Sequence, residues 1–190
     1  MMATGVESSF DAAGWLTDRA LNDGEYLQPQ KLHRLLYLAQ AYFAVAHRGR
    51  PLMPSVFIAT EAGPITPDVF RVYAQSRPYV ETKPLRPDAE LVLDSIWRRF
   101  GQHSVDYLTR QIKQHTPYLK AYEKGEGSII ALNDMVAFYG AEAHANQAPG
   151  GAPPLAGVLR PRVMRSHTGR PVNVQKWMPP EPKNAQAAKG

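Results

Sequence analysis

The chain has 190 residues, 44% hydrophobic and 21% charged, which suits one ordinary domain with an appendage and argues against wholesale disorder. It has no cysteine, which excludes disulfides, zinc–thiolate sites and thiol nucleophiles. The net charge of +5 comes from the tail. Residues 149–190 carry seven Lys and Arg and one acidic residue, whereas residues 1–148 carry fifteen Lys and Arg and sixteen Asp and Glu.

The first part of the chain predicts two helices. Apolar residues at helical spacing over residues 8–22 predict the first helix, with Ser8 or Ser9 as its N-cap. From Pro29 the apolar pattern is stronger, because proline suits the first helical turn and apolar residues recur at i, i+3, i+4 and i+7. Apolar residues also occupy the other side of this second helix, so we expect it at the centre of the fold.

The middle of the chain predicts one extended segment and a short helix. Residues 55–60 are rich in β-branched and aromatic side chains, which favours an extended segment, and residues 62–65 predict a turn. The following sequence, Thr66, Pro67 and Asp68, is typical of a helix start, and this helix is expected to end before Pro78.

The second half of the body predicts further helices. One begins at Asp88 and ends at Gly101, the next is capped by Ser104, a short turn follows at residues 118–122, and the last helix is capped by Asn133. Together these patterns predict an all-α or α-dominated domain, a compact bundle of about six helices with one short extended segment. We place the helical domain at residues 8–148 and a basic, Pro- and Gly-rich tail at 149–190, disordered alone or ordered on a partner.

A family resemblance rests on the second predicted helix and the turn after the extended segment. The run LQPQKLHRLLYLAQAY at residues 27–42 is similar to the KLQKLLYYAQ helix of the Panacea domain, a phage-associated and SocA-like family. GPITP at residues 63–67 resembles that family's GPVVP turn, and residues 69–73 occupy the place of its next helix. The resemblance covers roughly residues 8–145.

The resemblance implies a helical protein that acts by contact and without chemistry. It would bind and neutralise a toxin, or deliver a client to a protease, and it would need no cofactor. The implied partner is therefore a protein, and the chain is not expected to be an enzyme. The tail lies outside the region of similarity.

Three polar residues of the second predicted helix are candidate partner contacts. Lys31 has the chemistry to hold a partner carboxylate, or alternatively to cap the carbonyls of a neighbouring helix. Tyr37 and Gln40 lie three residues apart on one helical face, where they would reach an interface or satisfy each other inside the core.

Two proline-containing pairs are further candidates. Gly63 and Pro64 either contribute to a contact surface or serve only the backbone geometry of a turn. Pro117 and Tyr118 stand where the family has a proline and an aromatic residue. Tyr118 is either an exposed aromatic anchor or a buried packing residue at a helix start.

The tail supplies three more candidates, Arg160, Arg162 and Trp177. A cationic segment with sparse apolar residues suits docking to a protein partner, and it is equally typical of a solvated linker. Its arginines would also neutralise phosphates, so a nucleic-acid-associated regulator is the alternative function.

No sequence motif indicates catalysis, metal binding or export. The six histidines form no HExxH motif, and no GxSxG, P-loop or GxGxxG sequence occurs. The chain opens without a basic and apolar leader, and no run reaches the length of a membrane span. We therefore expect a cytoplasmic protein without a metal, a membrane segment or a catalytic site.

Overall fold

The computed structural model describes residues 3–74, 78–141 and 151–159, together with the backbone of 164–165 and 171–172. Residues 1–160 form one compact unit and residues 161–190 a second. The elements of the first unit are α1 (Ser9–Asn22), α2 (Pro29–Ala46), β1 (Phe57–Thr60), β2 (Gly63–Ile65), α3 (Pro67–Tyr73), α4 (Pro87–Phe100), α5 (Val105–Lys113), α6 (Thr116–Tyr122), β3 (Ile129–Ile130), α7 (Leu132–Tyr139) and α8 (Leu155–Val158). The described part of the protein is thus mostly helical, with eight helices where the sequence predicts about six.

Helix α2 is the centre of the first unit. Every side chain from Leu32 to Ala44 is buried, and the helix contacts α1, α3, α4, α5, α7, α8 and β2. A helix that is apolar on all sides has no face for solvent, so neighbours surround it. The central position expected from the sequence is confirmed. None of the helices that the structure describes is long and apolar enough to cross a membrane.

Helix starts follow the sequence closely, with two exceptions. Ser8 caps α1 in a capping box with Asp11, and Ser104 caps α5 by accepting a hydrogen bond from the Tyr107 amide. The cap predicted at Asn133 is wrong, because α7 begins at Leu132 and Asn133 lies within it. The predicted turn at residues 118–122 is part of a helix that begins at Thr116.

The α-dominated fold predicted from the sequence is confirmed, but the fold is not purely α, because the first unit contains a three-stranded antiparallel sheet in the order β2-β1-β3. The predicted extended segment becomes β1, but the predicted turn at 62–65 contains β2. Phe57, Ala59 and Ile130 are buried on the inner face of the sheet. Buried and half-buried side chains alternate along β1, because successive strand residues point to opposite faces of the sheet.

The first compact unit extends past the boundary that we predict near residue 148. Ala152 and Val158 are buried, and the Tyr42 hydroxyl donates a hydrogen bond of 2.7 Å to the Pro153 carbonyl. This strap, residues 151–159, packs on α2 and α4 through α8. In the second unit, strands β4 (Met164–Arg165) and β5 (Pro171–Val172) pair antiparallel.

Candidate partner-binding face

A cavity of about 700 Å³ opens between the start of α2, the β1–β2 turn and α3. Most of its polar lining comes from α2, which contributes Gln30, His33 and Arg34. Its apolar walls come from Ile65 and from Phe70 and Tyr73 of α3. An apolar cavity of this size with few polar groups is typical of a binding site.

Arg34 is the most buried charged side chain at this cavity, with only 1% of its surface exposed. Its Nε donates to the Thr109 hydroxyl at 2.9 Å, and one terminal nitrogen donates to the Pro64 carbonyl at 2.9 Å. The other terminal nitrogen donates to the Ala62 carbonyl. The guanidinium therefore joins α2 to the β1–β2 turn and to α5.

Gly63 is required beside this guanidinium for two reasons. Its φ of +112° is a conformation that residues with a side chain rarely adopt. A Cβ at this position would lie 2.8 Å from the Cζ of Arg34. The glycine thus lets the turn backbone approach the guanidinium closely enough to accept its hydrogen bonds.

The charge of Arg34 has no carboxylate partner among the described residues, since no Asp or Glu oxygen lies within 4.0 Å of its guanidinium. Its three acceptors are neutral oxygens. Burial lowers the pKa of Arg34 to about 10, so it remains a cation at neutral pH. A guanidinium has five N–H groups, and two of them remain for another acceptor.

His33 adds a neutral donor to the same wall. Its Nδ1 accepts a hydrogen bond from the Thr66 amide at 3.3 Å, so the ring proton resides on Nε2. Burial, and secondly the charge of Arg34, lower the pKa of His33 to about 4. The imidazole is therefore uncharged at neutral pH, and its ring centroid lies 6.0 Å from that of Phe70.

The outer face of the sheet leads into this cavity. Ile58 pairs directly with Ile65 on one side and with Ile129 on the other, and directly opposed residues share a face. These three form a row in which Ile129 is 59% exposed and the other two are half-buried. Ile65 also lines the cavity beside Phe70, which is 50% exposed. We call Ile58, Ile65, Ile129 and Phe70 the sheet face.

Lys31, predicted as a partner contact, serves the fold in this structure. Its ammonium donates to the carbonyl of Gly101 just past α4, and it lies 5.8 Å from the ring of Trp97 and 3.7 Å from a Glu25 oxygen. Lys31 therefore caps the carbonyl end of a neighbouring helix, which is one of the two roles that the sequence leaves open for it. A cation at the C-terminus of a helix interacts favourably with the helix dipole.

Tyr37 and Gln40 are buried in the core and are not available to a partner on this surface. The Gln40 Oε1 accepts from the Met53 amide at 2.9 Å, which fixes the chain after α2. The Tyr37 ring makes edge contacts with Phe57 and Tyr139. Burial raises the pKa of Tyr37 above its usual range.

The remaining predicted residues divide between the fold and the tail. Gly63 and Pro64 are buried against Arg34. Pro117 and Tyr118 are also buried, and the Tyr118 hydroxyl donates to the Thr60 carbonyl, so this aromatic is a packing residue. The predicted contacts Arg160, Arg162 and Trp177 lie outside the residues whose side chains the structure describes.

The sequence reasoning missed the residues that form the cavity and the sheet face. One signal was present for Arg34, which is a charged residue directly before the apolar run of residues 35–39 in a helix expected at the centre of the fold. The isoleucine row had no such signal, because it depends on the pairing register of three strands. Within the described ranges, no group of three or more acidic or histidine side chains is placed to hold a metal ion.

Comparison with known proteins does not assign the chain to a family. No family model matches the chain, and neither a curated protein nor a solved structure matches it.

Proposed function

We propose that the protein is a protein-binding module, an antitoxin-like neutraliser or adaptor, that engages its partner through the sheet face. The observation that supports this best is the row of Ile58, Ile65 and Ile129 on the outer side of the sheet. Contiguous apolar surface beside a cavity is typical of protein interaction sites.

The cavity end of the sheet favours side-chain docking over addition of a strand. Pro64 lies in the edge strand β2, has no amide hydrogen, and gives its carbonyl to Arg34. An edge that lacks a donor and has an occupied acceptor pairs poorly with another strand. Affinity would then come from anchors that fill the cavity and cover the isoleucines.

Affinity capture from the native cell tests which surface binds. We expect Ile129→Asp to lose a partner that the wild-type full chain retains, because Ile129 is exposed and its replacement leaves the core intact. Leu91→Asp is the matched control, since Leu91 is 46% exposed on α4. Equal recovery of the same partner by both variants would overturn the sheet face as the binding surface.

A growth assay separates neutralisation from delivery to a protease. The partner lost by Ile129→Asp is expressed alone, with the wild-type chain, and with the Ile129→Asp variant. Neutralisation predicts growth arrest by the partner alone, rescue by the wild-type chain and no rescue by the variant. Delivery predicts instead that the partner's half-life shortens when the wild-type chain is present. A partner that is neither toxic nor destabilised would refute both functions.

A further inference from the structure

Arg34 combines three properties that a fold-stabilising arginine does not need together. It is almost fully buried, its acceptors are three neutral oxygens, and it lines an open cavity. Desolvating a cation is costly, and a carboxylate partner offsets that cost better than neutral acceptors do. The described part of the chain supplies no such carboxylate.

The rest of the cavity indicates what kind of carboxylate would fit. Ile65, Phe70 and Tyr73 form an apolar wall, and His33 contributes a neutral ring donor to the polar side. A ligand that fills both parts needs a carboxylate joined to an apolar group within a few ångströms. The C-terminal residue of a peptide with an apolar side chain has both features in one unit.

We propose that this cavity binds the C-terminal residue of a protein partner, with its carboxylate on Arg34 and its apolar side chain against Phe70 and Ile65. That the carboxylate belongs to a protein partner rests on the proposed function. That the ligand carries a carboxylate beside an apolar group rests on the cavity alone. The two unused N–H groups of the guanidinium would donate to the carboxylate as charge-assisted hydrogen bonds. The interaction is recognition only, and no bond forms or breaks.

Three small probes test the site on the full chain by NMR titration. N-acetyl-phenylalanine carries the ring and a terminal carboxylate, N-acetyl-phenylalaninamide carries the ring alone, and N-acetyl-aspartyl-phenylalaninamide carries a side-chain carboxylate. We expect the first to bind with a Kd of about millimolar, as its size allows, and the second at least about tenfold more weakly. The third is expected to bind more weakly than the first.

Each alternative result has a definite meaning. Equal binding of the acid and its amide would overturn the carboxylate site, and so would the absence of binding by the acid at tens of millimolar. Tightest binding of the aspartyl probe would overturn the C-terminal assignment, because the carboxylate would then come from an internal acidic residue.

Charge changes at Gln30 keep the test independent of folding. Gln30 is exposed, lines the cavity and lies one helical turn before Arg34. We expect Gln30→Glu to weaken binding of N-acetyl-phenylalanine about threefold and Gln30→Lys to strengthen it about threefold. Asn133→Asp, exposed at the start of α7, makes the same charge change as Gln30→Glu and should leave binding unchanged. Equal affinities in all the variants would contradict the proposal.

These experiments do not depend on capture of a partner. Probe binding with the expected dependence on the carboxylate and on Gln30 would stand even if Ile129→Asp retained every captured protein. Conversely, loss of a partner by Ile129→Asp without probe binding would support the sheet face and refute the carboxylate site.

Discussion

Two arginines near opposite ends of α2 have different hydrogen-bond and ion-pair partners. Arg50, just after the helix, is 29% exposed and lies 2.5 Å from Asp88, which also pairs with Arg86 at 3.1 Å. Arg34, in the first half of the helix, is almost fully buried and has only neutral acceptors. Water screens the first charge and not the second, so the costlier cation is the one without a carboxylate from the described chain.

This difference teaches where an outside group has most to contribute. A carboxylate brought to Arg50 would compete with Asp88 and with water. A carboxylate brought to Arg34 would meet a cation that has only neutral acceptors among the described residues, at a cavity with an apolar wall. The two arginines should therefore respond differently to substitution.

Removing each guanidinium group in turn should give the largest difference in the free energy of unfolding between two variants. We expect Arg34→Met to lower the free energy of unfolding by about 4 kcal/mol, because three hydrogen bonds are lost and the buried Pro64 carbonyl is left without that donor. Arg50→Met should cost about 1 kcal/mol or less, as is usual for a partly exposed ion pair. Denaturant unfolding measures both, and an Arg34→Met cost no larger than that of Arg50→Met would contradict the comparison.

Adding a methyl group at Gly63 tests how tightly the turn holds the guanidinium. Gly63→Ala should cost about 3 kcal/mol, since it combines a positive φ with a Cβ 2.8 Å from Arg34. Gly24→Ala is the control, because Gly24 has a φ of +76° and no atom within 4 Å of the added Cβ. The control should cost about 1 kcal/mol, from backbone strain alone. Equal thermal stabilities would show that Arg34 is loosely held.

His33 makes the stability of this region sensitive to pH. The pKa of His33 is 6.5 in the unfolded chain and about 4 in the folded protein. The stability that the neutral imidazole contributes is therefore fully present above pH 6.5 and is lost as the pH falls from 6.5 towards 4. We expect a loss of about 2 kcal/mol between pH 7 and pH 5. The pKa of His47 is also lowered, mainly by burial, so this residue adds to the pH dependence of stability. His33→Asn should therefore reduce the pH dependence of the unfolding free energy without abolishing it. An unchanged pH profile in His33→Asn would remove this role.

The smallest effect is expected where a buried polar group already has a neutral partner in the chain. Tyr42→Phe removes the hydrogen bond to the Pro153 carbonyl and should cost about 1 kcal/mol. Amide hydrogen exchange should accelerate at residues 155–159, because the described part of the strap loses its side-chain hydrogen bond to α2 while Ala152 and Val158 keep their packing. Exchange rates that stay equal to those of the wild-type chain would show that apolar contacts alone hold the strap.

The sequence predicted elements whose signals are local and missed those that depend on distant pairing. Pro29 and the apolar pattern after it are sufficient for α2, and Ser8 with Asp11 is sufficient for the start of α1. Strand β2 was missed because Gly63 and Pro64 are typical turn residues. The positive φ of Gly63 and the close approach of Arg34 together explain the glycine in this strand.

The candidate site was harder to predict than the fold. Its walls come from α2, the β1–β2 turn and α3, and its guanidinium is fixed by a fourth element, α5. No spacing along the chain brings these residues together. The sequence directed attention to Tyr37, Gln40 and Tyr118, which pack inside the fold and do not line the cavity.

The Arg34 side chain itself reports most directly whether the cavity accepts a carboxylate. The Nε–Hε signal of Arg34 in the full chain would be assigned by its loss in Arg34→Lys and followed by NMR as N-acetyl-phenylalanine is added. We predict a saturable shift of this signal with the acid and little change with N-acetyl-phenylalaninamide at the same concentration. A signal that stays in place with the acid, or shifts equally with the amide, would contradict the assignment of Arg34 as a carboxylate site.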